Sequence, residues 1–440
     1  MSSKVFRDPL YNYVSIDLSS DRWLVDVVNS REFQRLRRIH QLGVSHFTYP
    51  GADHNRLCHS LGVLHLMQLA FDHLSQDHKE RHLEIARPVL FAAALAHDVG
   101  HGPFSHLFEP CLGIDHEEWS QKIILDPETD LNRCLRMCDT GLPQSVADLI
   151  NPKNESRPAW QKTLISSQID MDRLDYLRRD SLFTGAGYGH FDWHRIITTM
   201  EIQGDKPSDW EITWSDKAKL AIEEYIFARS YMYQNVYLHK TTRGFEQMIQ
   251  VMWKRARDLH NDNSDVSIVP TIERFWDAKE PTSQQYLDIE EYTVMSQIQA
   301  WRDHADAGLS DLAARFLDRK PFSMIEEPDA KLKLAEGPSE WERALKELVE
   351  KHTEFSPSWM YCLIDAVKPK YHQPYFPEKE SGEQTVKNAI RIKNGAQSTE
   401  ISELLPRLRP LTEPPPIKKR YYVPGELRDD ALKLRSQFAP

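Results

Sequence analysis

No stretch of 18 apolar residues and no hydrophobic N-terminal run occurs in the chain. Neither a membrane-spanning helix nor a secretory signal is therefore expected, and a cytoplasmic location is. Cysteine is scarce: the five at 58, 111, 134, 138 and 362 are an odd, scattered set, which fits a reducing compartment and not a disulfide framework. Cys134 and Cys138 have no second Cys or His pair at zinc spacing and read as neighbours on a helix. Positive charge is in deficit, 55 Lys and Arg against 66 Asp and Glu for a net −11, which argues against a chain that coats nucleic acid. Arg31, Arg35, Arg37, Arg38 and Arg56 leave room for a local basic pocket, although a solvated helix face is the plainer reading of such a run. Lys418-Lys419-Arg420, after Pro414-Pro415-Pro416, reads as a surface turn. Internal repeats are absent.

What is present describes a globular protein. With 440 residues, 40% hydrophobic and 28% charged, the chain can bury a large core in two lobes. Helix-period segments dominate the first part, so the fold class is mainly α, with residues 1–320 as a helical core and 321–440 as a smaller α+β lobe. Within the core, Ile196 to Ile202 and Trp210 to Trp214 are strand-like and predict a small hairpin across GDKPSD. Asp216 to His260 reads as one helical stretch interrupted only at Gly244. Pro-rich joints in the second lobe separate the strand candidates Tyr361 to Val367 and Ala389 to Lys393.

Four residues stand out: His59, the adjacent pair His97-Asp98, and Asp172. They offer the mixed nitrogen and oxygen ligands that suit first-row divalent metals. His59 opens HSLGVLHLMQLAFDHL, His97-Asp98 closes RPVLFAAALAHDVGH, and Asp172 lies in SSQIDMDRLDYLRRD, all with helical spacing. The middle run is apolar nearly all round and predicts a buried helix, stopped by Gly100, Gly102 and Pro103. A lone histidine among 19 is more often a satisfied core or surface residue, and the competing reading of His97 and Asp98 is hydrogen bonding to nearby backbone. Three histidines and an aspartate between His97 and His106, beside glycines that admit close approach, favour a metal site. One divalent ion is expected there. Ligand type does not choose among Mn, Fe, Co, Ni and Zn, and Mg would accompany any substrate phosphates.

Helical geometry extends the reading. Asp172, Tyr176 and Asp180 fall at i, i+4 and i+8, one face spanning ~12 Å, while Asp170 diverges from it. Arg229, Tyr233 and Tyr237 share the same relation, so Arg229 can meet phosphate while Tyr237 closes on a sugar; a buried tyrosine stripe explains the tyrosines equally well. His106 is the expected acid at the leaving group, with Glu109 three residues on to hold its ring. His101 and His116 are expected to contact phosphate oxygens or position water.

The strings FQRLRRIHQLGVSHFTYPGADHNRLCHSLGV (33–63), LAHDVGHGPFSHLFE (95–109) and IDMDRLDYLRRD (169–180) resemble the HD-domain deoxynucleoside triphosphate triphosphohydrolases. Weaker likenesses follow in YMYQNVYLHKTTRG (231–244) and NAIRIKNGAQSTEISELLPRL (388–408), so most of the chain is covered. The likeness is to the catalytic core of the sterile-alpha-motif and HD-domain phosphohydrolase and its stand-alone bacterial relatives, and KVFRDPLYNYVSI at the start leaves no separate sterile-alpha-motif domain expected. The resemblance implies an HD-type helical metal-binding core, dNTPs as substrates and a homo-oligomer, dimer or tetramer. It implies that the last metal ligand is Asp172, that Tyr176 packs on the sugar and that Asp180 accepts from its 3′-hydroxyl. By the same resemblance Arg229 grips phosphate, Tyr237 and Leu42 exclude a ribose 2′-hydroxyl, and Gln41, Arg56 and Arg173 contact substrate. Lys4, Val5, Gln34, Arg37, Tyr49, His239 and Lys240 fall near regulatory nucleotide positions between subunits. Asn29 stands where a guanine-reading aspartate is found in vertebrate relatives, and an amide cannot accept both guanine N–H groups.

The expected activity is thus metal-dependent hydrolysis of dNTPs to deoxynucleoside and triphosphate. The alternatives are an HD phosphohydrolase acting on nucleoside monophosphates or phosphodiesters, and a non-catalytic nucleotide sensor. Basic residues placed for β- and γ-phosphates (Arg56, Arg229) weigh against the former, and His106 with Glu109 against the latter.

Overall fold

The computed structural model describes residues 3–438 except 155, 263, 329–338, 366–373, 378–388, 396 and 414–418. Its centre is three helices. Arg56–Asp77 starts at Asn55, whose side chain accepts from the Cys58 N–H. Arg87–Ala96 has Pro88 in its first turn, where no N–H is needed, and residues 89–96 are all buried. Met171–Thr184 begins at the N-cap Asp170 and ends at Gly185, whose φ of 69° is the left-handed turn a helix end favours. The first helix packs against both others, and each fully buried leucine or phenylalanine along the seam contributes about 1.5–3 kcal/mol. The fold is mainly α, with small sheets.

Nine short strands form three sheets: β1 (Ser3–Asp8), β2 (Asn12–Asp17), β3 (Met200–Gln203), β4 (Glu211–Ser215), β5 (Ser323–Glu326), β6 (Leu363–Asp365), β7 (Arg391–Asn394), β8 (Gln397–Glu400) and β9 (Arg420–Val423). They are ordered β1-β2, β3-β4-β7-β8 and β5-β9-β6 among the described residues. The predicted hairpin exists, but its first strand is shorter: Trp193–Thr198 is a helix capped by Asp192, so Ile196 and Ile197 are helical core residues. β7 then adds to β4 in parallel, Trp214 opposite Ile392. The C-terminal strand candidates are observed as β6 and β7; residues 366–367 of the first lie outside the described residues. The division at 320 stands as a proposal about organisation, against which β7 and β8 complete a sheet begun by the first part.

Three further expectations are corrected. The N-terminal segment is an antiparallel hairpin and not part of a purely helical alternation; only Val14 and Ile16 of β2 face inward, too few to register as a period. The long stretch after residue 216 breaks at Leu238-His239, between a π-type turn at Tyr233–Tyr237 and the helix Lys240–Asn261. Gly244 lies inside that helix, where an added Cβ would meet the Tyr422 ring at 3.2 Å, so it serves close approach of β9 and not a break. Finally, the arginine run is not a basic pocket, and only part of it is a solvated face: Arg31 and Arg37 are exposed, whereas Arg35 is buried. Arg31 binds Gln284 and Asp288, Arg38 pairs with Glu290, and buried Arg35 donates to the carbonyls of Leu287, Ile289 and His101 at 3.1, 2.6 and 2.7 Å. Together they fasten residues 284–291 to the body of the protein.

Candidate active site

His59, in the first turn of its helix, is wholly buried; His97 caps Arg87–Ala96, and Asp172 sits in the first turn of Met171–Thr184. Their polar atoms converge. His59 Nε2 lies 3.0 Å from Asp172 Oδ1, 3.3 Å from His97 Nε2 and 3.6 Å from Asp98 Oδ2. His97 Nε2 is 3.4 Å from Asp98 Oδ1 and 3.8 Å from Asp172 Oδ1. Such spacings suit ligands that are each about 2 Å from a shared ion.

The proton positions make the same point. His59 Nδ1 faces Asp175 Oδ2 at 2.8 Å and His97 Nδ1 faces the Ala94 carbonyl at 3.1 Å, so each Nδ1 must donate. The two Nε2 atoms face each other at 3.3 Å, an arrangement that a cation between them would satisfy. Electrostatics agree: burial alone would lower the His59 pKa, but hydrogen bonds to Asp172 and Asp175 and the charges of Asp175 and Asp98 hold it up at about 10. The carboxylates favour positive charge here, which a divalent ion would supply. Burial would raise Asp98, yet Arg56 first, then His97 and His101, hold it well below the usual carboxylate range.

A second cluster abuts the first. Glu109 Oε1 faces His106 Nδ1 at 2.9 Å and His116 Nδ1 at 2.6 Å, while the His101 ring stacks on His116 at 3.9 Å. His101 Nε2 reaches Asp98 Oδ1 at 3.3 Å and joins the two clusters. Burial followed by the nearby Arg56 and His116 charges keep His101 well below its ordinary pKa and hence neutral. Burial opposes charge on Glu109 and His116 also, but hydrogen bonds win: those from His106 and His116 bring Glu109 down to about 2, and the bond to Glu109 raises His116. The His106 side chain is 68% exposed, free to meet an incoming group.

The loop between the clusters is forced into shape. Phe104 and Ser105 have φ of 54° and 58°, conformations that non-glycine residues adopt only when neighbours impose them. Here Glu291 accepts from the Phe104 N–H at 3.0 Å, Tyr286 donates to the Gly100 carbonyl at 2.6 Å, and Ser105 Oγ donates to the His40 carbonyl at 2.7 Å. Gly100 is required sterically: a Cβ would meet Ser120 N at 2.2 Å and the His116 carbonyl at 2.3 Å.

Beyond the metal cluster, Asp180 accepts from Tyr237 OH at 2.8 Å and faces His54 Nε2 at 2.7 Å, and the Tyr176 and Tyr237 rings meet edge to face at 6.2 Å. Leu42 packs half-buried against the core. Asp170, as expected, points away and caps the helix, pairing with Arg173 Nη1 at 2.5 Å. Buried polar atoms without a protein partner among the described residues include Gln41 Oε1, Arg173 Nε and Arg229 Nε. Two expectations change. Arg56 already uses Nη1 and Nε, donating to Asp98 Oδ2 at 2.5 Å and Ser105 Oγ at 2.8 Å, and so braces a candidate metal ligand. Arg229, Tyr233 and Tyr237 do not form a straight helical stripe because the π-type turn intervenes, yet Arg229 lies 5.6 Å from the Tyr233 ring and Tyr233 4.9 Å from Tyr237. Of the proposed regulatory set, Gln34 accepts from Arg37 at 2.8 Å and the Tyr49 and His239 rings meet at 5.7 Å, while Lys4, Val5 and Lys240 are exposed.

Sequence reasoning missed Asp175, His54, Tyr286 and Glu291. Asp175 left a signal, one turn after Asp172 and facing Arg179 at i+4. The others act through contacts at long sequence separation, which no local pattern carries.

Residues 56–180 match the family described as HD domain. The Bacillus subtilis protein YwfO, itself uncharacterized, is 35% identical over 434 residues, covering 98% of this chain and 94% of that protein. Human deoxynucleoside triphosphate triphosphohydrolase SAMHD1 is 29% identical over 291 residues, 58% of this chain and 45% of that protein. A phosphohydrolase of known structure from Bacteroides thetaiotaomicron superposes with a TM-score of 0.78 at 26% identity, over 96% of this chain and all of its own. Helical body and His/Asp centre define an HD-domain hydrolase. The chain belongs to the HD-domain phosphohydrolase family.

Proposed function

We propose that the protein hydrolyses dNTPs to deoxynucleoside and intact triphosphate by attack at the α-phosphorus. The observation that carries this reading is the single helical face on which Asp172 joins the metal cluster and Asp180 is held by Tyr237 and His54, with the Tyr176 ring between. That face is ~12 Å long, the reach from an α-phosphate to the far side of a deoxyribose. His59, His97, Asp98 and Asp172 would hold a divalent ion, which would supply an activated water and Lewis-acid polarisation of the phosphate.

This chain's residues do the rest. His106, oriented by Glu109, protonates the departing 5′-oxygen; His116, its pKa raised by the same carboxylate, faces phosphate charge, and His101 positions water. Arg173 and Arg229 each bring an unpartnered Nε to the anionic end. Tyr176 packs on the sugar, Tyr237 and Leu42 close its 2′ side, Asp180 takes the 3′-hydroxyl on remaining lone pairs, and Gln41 adds a polar contact. Mn, Fe, Co, Ni or Zn fits the ligand set, with Mg on the substrate phosphates. A dimer or tetramer, with nucleotide bound near Lys4, Val5, Gln34, Arg37, Tyr49, His239 and Lys240, completes the proposal. The five unpaired cysteines favour the cytoplasm, and no helix among the described residues is long and apolar enough to cross a membrane.

The test is incubation with each dNTP and Mn²⁺, followed by phosphorus NMR. Triphosphate as first product supports the reading. Phosphate or pyrophosphate first rejects it in favour of a different HD phosphohydrolase, and no turnover of any nucleotide favours a sensor.

A further inference from the structure

We propose that Tyr11 and Asp8, at the turn of the N-terminal hairpin, are positioning residues for the metal centre and act through Arg179 and Asp175 on His59. The proposal rests on reading His59 as a metal ligand. Asp175 is wholly buried and makes four contacts. Oδ2 accepts from Arg179 Nε and faces His59 Nδ1, both at 2.8 Å; Oδ1 accepts from Tyr11 OH at 2.8 Å and Arg179 Nη2 at 3.0 Å. A carboxylate has about four lone-pair sites, and all are used. Its plane is therefore fixed, and with it the direction in which His59 presents Nε2.

Tyr11 and Arg179 are in turn fixed by one residue. Asp8 Oδ2 accepts from Arg179 Nη1 at 2.8 Å, while Oδ1 accepts from the Leu10 and Tyr11 N–H groups at 2.8 and 3.0 Å and so builds the hairpin turn itself. The Tyr11 ring is held against His65 at 4.8 Å and under Arg178 at 5.2 Å. Space for the network comes from Gly62, three residues after His59 on the same helix: a Cβ there would lie 2.0 Å from Asp175 Oδ1 and 2.4 Å from Arg179 Nη2. The hairpin turn thus reaches a metal ligand through buried, hydrogen-bonded groups alone. Metal affinity becomes a property of residues 8–11 as well as of the ligands, and displacing the hairpin loosens the ion.

The experiment uses the full chain, stripped by a chelator and titrated with Co²⁺, reading the dissociation constant by chelator competition, the visible Co²⁺ spectrum and Tm. Groups behind metal-bound histidines are worth about 10- to 100-fold in affinity, so Tyr11→Phe and Asp8→Asn should each weaken Co²⁺ binding by about tenfold or more and change the spectrum. Tyr13→Phe, on the exposed face of β2, is expected to match the parent. Parent-like affinity and spectrum in Tyr11→Phe, with only Tm lowered, would overturn the proposal and leave a structural role. His97→Ala separates the two readings. Retained Co²⁺ in that variant defeats the ligand assignment and this proposal together; loss there without loss in Tyr11→Phe defeats the positioning role alone.

Discussion

Tyr237 and Asp180 meet across 57 positions of sequence, the phenol donating to Asp180 Oδ2 at 2.8 Å. Burial first, then the Asp180 charge, pushes the Tyr237 pKa well above its ordinary value, so the phenol remains a donor and the pair is locked. On the proposed reading, a sugar seated on Asp180 would be flanked by a rigid ring.

If that ring closes the 2′ side, a ribonucleotide must bury an unpartnered hydroxyl at a cost of about 1–3 kcal/mol. This corresponds to a ~5- to 150-fold preference for dATP over ATP. Tyr237→Ala should raise relative kcat/KM on ATP, whereas Asp180→Ala should weaken dATP without opening the 2′ side. Equal efficiency on both nucleotides in the parent rejects the gate.

His97→Ala or Asp172→Ala should abolish hydrolysis and reduce bound metal below the parent's content. Elemental analysis of the purified variants is the check; full metal content and undiminished turnover in both would remove these residues from the ligand set.

The Glu109–His116 pair makes stability pH-dependent in two directions. Glu109 is depressed from 4.5 to about 2, so its contribution is full above about 4.5 and fades as pH falls toward 2. His116 is raised from 6.5, so its contribution is full below 6.5 and fades as pH climbs through the raised value. The Tm difference between parent and Glu109→Gln should peak between about pH 4.5 and 6.5. A difference independent of pH from 3 to 9 would show that the pair is not coupled to folding.

Gly100→Ala places a methyl group against the backbone of the next helix, with Ser120 N 2.2 Å away. Overpacking of this kind costs about 1–3 kcal/mol, and the loop cannot yield without shifting His97 and His101. Denaturant unfolding should show the loss, and a variant as stable as the parent would mean that the loop has slack.

Much of the metal cluster was legible because its residues lie at the ends and first turns of helices whose apolar period is strong. The acid cluster was legible because His106 and Glu109 are near neighbours. Arg35 was misread for the opposite reason: its partner Ile289 is 254 positions away, and a buried arginine serving carbonyls looks, in sequence, like any other basic residue. The N-terminal hairpin escaped notice because two inward residues are too few for a period, and Asn12, at φ 67°, marks its turn only once coordinates exist.

The fastening of residues 284–291 has one more consequence. Arg35 lies before the 56–180 stretch that matches the HD domain, and Tyr286 and Glu291 lie well after it, yet all three hold the loop that carries His106. An excised 56–180 fragment would keep every candidate ligand and lose the brackets around His106. The residues that shape this loop thus span a wider stretch of the chain than the part that matches the family.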